Sequence, residues 1–66
     1  MKGTYKYEKS GTIFETHIDT ESAMAMICGM RTMTMVWQVL EHENTSNGLL
    51  FVAQNCDNDF KVTVRI

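Results

Sequence analysis

The feature that most constrains the fold is a pair of β-hairpin patterns, one near each end of the 66-residue chain. In the first, segments 4–9 and 12–18 alternate along the chain and flank Ser10-Gly11, which suits a two-residue turn. Such a turn sets two cross-strand pairs, Tyr7 with Phe14 and Lys6 with Glu15. One face of the hairpin is therefore aromatic and the other carries opposite charges. The face predicted to point into the protein carries Tyr5, Tyr7, Phe14 and Ile18.

The second hairpin pattern joins segments 49–55 and 60–66. Asp57-Asn58 is the predicted turn between them, because these residue types favour turns. The inner pairs that follow are Ala53 with Val62, Phe51 with Val64, and Leu49 with Ile66. Polar and mixed pairs fall on the other face, among them Gln54 with Lys61 and Leu50 with Arg65. An antiparallel sheet covered on one side requires this alternation.

Between the hairpins, the sequence predicts one long helix. The segment Asp19-Thr20-Glu21-Ser22 has the capping residues and the early acidic residue of a helix start. The turn-forming run 44–48 marks the predicted end, so the helix should extend from Glu21 to Glu43 or Asn44. The expected fold is an α+β domain spanning residues 1–66. Its order is β-β-α-β-β, with a four-stranded antiparallel sheet of two hairpins packed on the long helix.

A helix of that length would carry two apolar stripes on opposite sides. The first, which should cover the sheet, holds Met26, Met30, Met33, Trp37 and Leu40. The second holds Ala25, Cys28, Thr32, Met35, Val39 and His42. A second stripe predicts self-association, most simply as an antiparallel helix pair in a homodimer. Two alternatives stay open: these are scattered exposed apolar residues, or the stripe is an adaptable surface for a different partner.

The sequence predicts neither an enzyme nor a cofactor or metal site. It contains no phosphate-binding glycine loop, no Cys-x-x-Cys pair and no metalloprotease motif. Cys28 and Cys56 are expected to be free thiols in a reducing compartment. The one catalytic arrangement left open is a composite site across a dimer interface, using His42 or Cys28. No apolar run is long enough to span a membrane, and residues 1–5 lack the apolar core of a secretion signal, so a cytoplasmic protein is expected.

These observations predict a small non-enzymatic binding protein that forms a homodimer or higher oligomer. A phage or mobile-element accessory protein, blocking a host factor or sequestering a small ligand, would fit its size. The best place for a polar ligand is the outer sheet face, with Lys6, Glu15, His17, Lys61 and Arg65. The alternative is a nucleic-acid-binding module on the same face, although the net charge of −2 makes nucleic acid an unexpected partner.

Overall fold

The structure, a computed structural model, describes residues 2–66 as an α+β fold with one helix and one antiparallel sheet. The elements in chain order are β1 (Lys2–Lys9), β2 (Thr12–Asp19), α1 (Thr20–Thr32), β3 (Trp37–Thr45), β4 (Gly48–Asn55) and β5 (Lys61–Arg65). The strand order in the sheet is β2-β1-β5-β4-β3. The predicted fold class is therefore correct, whereas the sheet has five strands and not the predicted four.

Both predicted hairpin registers are confirmed. Tyr7 lies opposite Phe14 and Lys6 opposite Glu15. In the second hairpin, Ala53 lies opposite Val62 and Phe51 opposite Val64. The main chains of Leu49 and Ile66 exchange two hydrogen bonds of 3.0 and 3.2 Å, which extends this ladder to the last residue. The new contact between the hairpins is the antiparallel pairing of β1 with β5.

The prediction of one long helix is wrong, because α1 ends at Thr32. Its last turn contains Gly29, and the N–H of Met33 bonds to the Gly29 carbonyl. The chain then turns and continues as β3. Segment 34–39 is rich in β-branched and aromatic residues, which favour strands over helices. Residues 44–48 consequently form the end of the β3–β4 hairpin, with Ser46 and Asn47 as its turn, and do not cap a helix.

A bulge explains why β3 resembled a helix in the sequence. Val39 lies opposite Ala53, but Glu41 lies opposite the next residue, Val52, so Leu40 is one extra residue in the ladder. Such an insertion breaks the strict alternation of inward and outward side chains. The inward positions 37, 39 and 42, together with the apolar Leu40, therefore resemble helical spacing more than the period of two that marks a strand.

The core lies between α1 and one face of the sheet. Ala23, Ile27 and Met30 are the buried residues of the helix. They pack with four buried sheet residues, Phe51, Ala53, Val62 and Val64. Tyr5 and Ile18 pack on this core as predicted. Phe14 does not: it is 55% exposed, because β2 is an edge strand.

Candidate binding surface

The face of the sheet turned away from α1 is the largest candidate site. The strand registers arrange its side chains in cross-strand rows. Taken across the strands in the order β2, β1, β5, β4, β3, the first row holds His17, Thr4, Arg65, Leu50 and Glu43. The second row holds Glu15, Lys6, Thr63, Val52 and Glu41. The third row holds Ile13, Glu8, Lys61, Gln54 and Gln38. Because all five strands contribute, this surface is built by the sheet and not by one loop.

The middle of this face is an open groove of about 520 Å³, with apolar residues near one end. Leu50 and Val52 come from β4, and Leu40 is the bulged residue of β3. Leu40 is 47% exposed, whereas Val52 is only 8% exposed although no helix covers this side. Val52 lies between Thr63 and Glu41 in its cross-strand row, and Lys6 and Lys61, whose apolar stems can cover such a residue, line the same groove. These apolar residues were not predicted as part of a site.

Charged side chains of both signs line the same groove. Lys6 lies 3.5 Å from Glu8 along its own strand, and it is also opposite Glu15. Lys61 is opposite Glu8. Arg65 differs from both lysines, because its cross-strand neighbours are Thr4 and Leu50. Among residues 2–66, no carboxylate forms an ion pair with Arg65.

Arg65 also stands where three hollows meet. It lines the central groove. It lines a second hollow of about 430 Å³ with Thr4 and His17. It lines a third, of about 220 Å³, with Glu43 and Leu50 near the β3–β4 turn. An exposed guanidinium in this position can reach a ligand that enters any of the three.

The structure brings together most of the predicted polar ligand residues. Four of them line the central groove, namely Lys6, Glu15, Lys61 and Arg65. His17 lies on the same face but lines the neighbouring hollow with Arg65. The alternation of β1, β2 and β5 was sufficient to find this face. The contribution of β3, including Leu40 and Glu41, could not be found while that segment was read as a helix.

The predicted self-association stripe does not exist as one helix face. Ala25, Cys28 and Thr32 are exposed on α1. Met35 is 91% exposed in the connection after the helix. Val39 and His42 belong to β3, where the His42 ring packs edge-on against Phe51 with centroids 5.3 Å apart. The prediction failed because the chain changes from helix to strand between Thr32 and Trp37.

A smaller apolar cleft of about 260 Å³ opens beside the helix. Its lining is aromatic and methionine-rich: Tyr5, Met26, Gly29, Met30, Trp37, Phe60 and Val62. Phe60 fixes one wall by edge-on contacts with Tyr7 at 4.3 Å and Trp37 at 5.6 Å between ring centroids. Burial, together with the neighbouring Tyr7 hydroxyl, raises the pKa of Tyr5. The cleft is below the usual size of small-molecule sites, about 300–1,000 Å³.

Other chemistry-bearing groups are dispersed. Cys28 and Cys56 are free and exposed. Within the described range 2–66, no three His, Cys, Asp or Glu side chains are close enough to hold one metal ion. In that range, no helix has the length and apolar character needed to cross a membrane.

Comparison with protein-family models, curated proteins and solved structures gives no match to this chain.

Proposed function

We propose that this protein is a non-enzymatic binding domain that binds a protein partner on the outer face of its sheet. The main support for this proposal is the position of Arg65. It is exposed, it has no carboxylate opposite it, and it borders all three hollows of that face. An arginine available for a bidentate contact beside apolar side chains is typical of residues that dominate binding energy.

The charges of the groove favour protein over nucleic acid as the partner. Carboxylates Glu8, Glu15 and Glu41 alternate with the cations in the groove lining. A phosphate backbone would meet repulsion at each of these positions, since nucleic-acid binding depends on cation density. A protein surface can instead offer an apolar side chain to Leu40 and Leu50 and a carboxylate to Arg65. Covering Leu40, which is about half exposed, contributes about half of the roughly 1.5–3 kcal/mol that burying a fully exposed leucine provides.

A second copy of this chain does not suit the groove. β5 is the middle strand of the five. A two-fold, face-to-face dimer centred on it would place β5 on β5. If the axis runs along the strands, Lys61 meets Lys61 and Arg65 meets Arg65. If the axis runs across them, Lys61 meets Arg65. Both arrangements place like charges together, so the partner is expected to be a different protein.

The test is affinity capture from a nuclease-treated lysate of the source cells, followed by mass spectrometry. Arg65→Glu should weaken capture of a specific protein at least about tenfold, which corresponds to 1.4 kcal/mol. Arg31→Glu is the matched control, because Arg31 is an exposed arginine on α1. It makes the same charge change on the opposite side of the sheet and should leave capture unchanged.

Two outcomes would contradict the proposal. Equal loss from both arginine variants would show that net charge, and not the groove, controls binding. In a parallel capture without nuclease, recovery of nucleic acid and no specific protein would favour the nucleic-acid-binding alternative. That recovery should fall with rising salt and in the Lys61→Glu, Arg65→Glu variant. A role in a phage or mobile element, and the blocking of a host factor or sequestration of a small ligand, stay predictions. The identity of the captured species addresses them.

A further inference from the structure

The two edges of the sheet differ in how well they are protected against pairing. An open edge strand presents unpaired N–H and C=O groups that can bind another strand. β3, at one edge, contains the bulge at Leu40, which interrupts its regular ladder. β2, at the other edge, pairs with β1 in unbroken register over all eight of its residues. It has no bulge, no proline and no lysine, and two of its apolar residues, Ile13 and Phe14, are 63% and 55% exposed.

The hairpin register shows which groups of β2 are free. The two-residue turn at Ser10-Gly11 makes Lys9 and Thr12 a hydrogen-bonded pair. Phe14, Thr16 and Ile18 therefore bond to β1 as well, because bonded and non-bonded pairs alternate. The intervening residues Ile13, Glu15 and His17 direct their main-chain groups to the open edge. An added antiparallel strand would bond to these residues.

β2 is complementary to a second copy of itself in one register. With the two-fold axis at Thr16, Phe14 lies opposite Ile18 of the second copy, and Glu15 lies opposite its His17. Each of these pairs occurs twice, and the two Thr16 side chains meet at the centre. Aromatic–β-branched, carboxylate–histidine and Thr–Thr pairs are the kinds that stabilise antiparallel sheets, by about 0.2–1 kcal/mol each.

The neighbouring symmetric registers are worse. A centre at Glu15 places the two Glu15 carboxylates opposite each other. A centre at His17 places Glu15 opposite Asp19. A centre at Phe14 leaves only residues 12–16 paired, whereas the register at Thr16 pairs residues 13–19. Like charges directly opposite one another destabilise a sheet, so charge and length select the same register.

We propose that two copies of this protein pair through β2 in the register centred on Thr16. The product is one continuous ten-stranded sheet with both helices on the same face. This pairing uses the edge of β2 and leaves the middle of the outer groove open in each copy. Glu15 and His17 are the residues common to both surfaces. The contact area of one strand pair is small for a stable complex, so the dimer should form at micromolar concentrations and above.

Cysteine cross-linking tests the register. In a Cys28→Ser, Cys56→Ser background, Thr16→Cys should form a disulfide-linked dimer of twice 7.6 kDa under mild oxidation. The Cα atoms of directly opposed residues lie about 4.5–5.5 Å apart, within disulfide range. Thr12→Cys is the matched control, since the two copies of residue 12 would be about 27 Å apart in this register. It should stay monomeric on a denaturing gel.

The same gel can also give results that would overturn the proposal. No cross-link from Thr16→Cys in a folded sample, judged by circular dichroism, would rule the pairing out. An equal yield from Thr12→Cys would show random collision. A cross-link from Glu15→Cys exceeding that from Thr16→Cys would establish a different register.

A charge swap provides a second readout that does not use cysteine. His17→Glu places two carboxylate pairs at the interface and should weaken the dimer at least tenfold in sedimentation equilibrium. Adding Glu15→His restores opposite partners and should recover most of the affinity. Unchanged dimerisation in the single variant, or no recovery in the double variant, would contradict the proposed pairing.

Discussion

Gly48 and Gly29 have opposite structural roles, although each lies near the end of an element. Gly48 has φ of +139° at the start of β4, and a Cβ there would collide with the Ile66 carbonyl. Gly29 lies in α1 with open space around its Cα. Gly48→Ala should therefore destabilise the fold by more than about 1 kcal/mol. Gly29→Ala should stabilise it by about 0.5–1 kcal/mol.

Urea unfolding of the two glycine variants and the parent protein measures both changes. Loss of stability in Gly29→Ala would show that this helix position is closely packed. An unchanged midpoint in Gly48→Ala would contradict the strained turn between β3 and β4.

Asp19, immediately before α1, gives a prediction about pH. Hydrogen bonding with the Ser22 side chain, partly opposed by desolvation, lowers the pKa of the Asp19 carboxyl. Because the folded pKa is below the unfolded one, the charged carboxylate stabilises the folded state at neutral pH. That contribution is lost as pH falls through the folded pKa. In an NMR titration, Ser22→Ala should raise the pKa of Asp19. No upward change would show that Ser22 is not the cause.

At the scale of elements, the sequence was informative wherever residues alternate without interruption. The registers of the two predicted hairpins were correct, including the pairing of Lys6 with Glu15, although the strand ends differ by one or two residues. The error covers residues 33–45, where one inserted residue makes a strand resemble a helix. Asn47-Gly48 carried a usable signal, since this dipeptide favours β-hairpin turns. Length was a second sign: a helix of about 24 residues is about 36 Å long, whereas strands of about 6–7 residues span only about 20–23 Å.

The bulge makes a deletion test possible. Removing Leu40 leaves Val39 and Glu41 adjacent and keeps every other pair of β3 with β4 in place. We expect this deletion to cost no more than about 1 kcal/mol of unfolding free energy. Deleting His42 instead places a glutamate, Glu41 or Glu43, beside Phe51 and should cost about 3 kcal/mol. Thermal unfolding compares the two, and an equal loss from both deletions would contradict the bulge.

At the scale of the whole molecule, the order of strands decides which surfaces are available. The sequence did not determine that β1 would pair with β5 and leave β2 and β3 at the edges. Local patterns report which side of a strand is apolar, but contacts between distant strands depend on packing across the whole sheet. For the same reason, the outer groove was predicted only through its polar residues on β1, β2 and β5. Its apolar residues on β3 and β4 became visible with the fold.

The proposed binding site is the outer face of the sheet, and not the helix face. One bulky maleimide can block either face. Cys56→Ser leaves Cys28, exposed on α1, as the single thiol. A Cys28→Ser, Cys56→Ser, Leu40→Cys variant places the single thiol in the outer groove instead. Each labelled protein is compared with its own unlabelled form in the capture assay. Labelling at position 40 should abolish partner capture, and labelling at Cys28 should leave it intact. The reverse result would contradict the account.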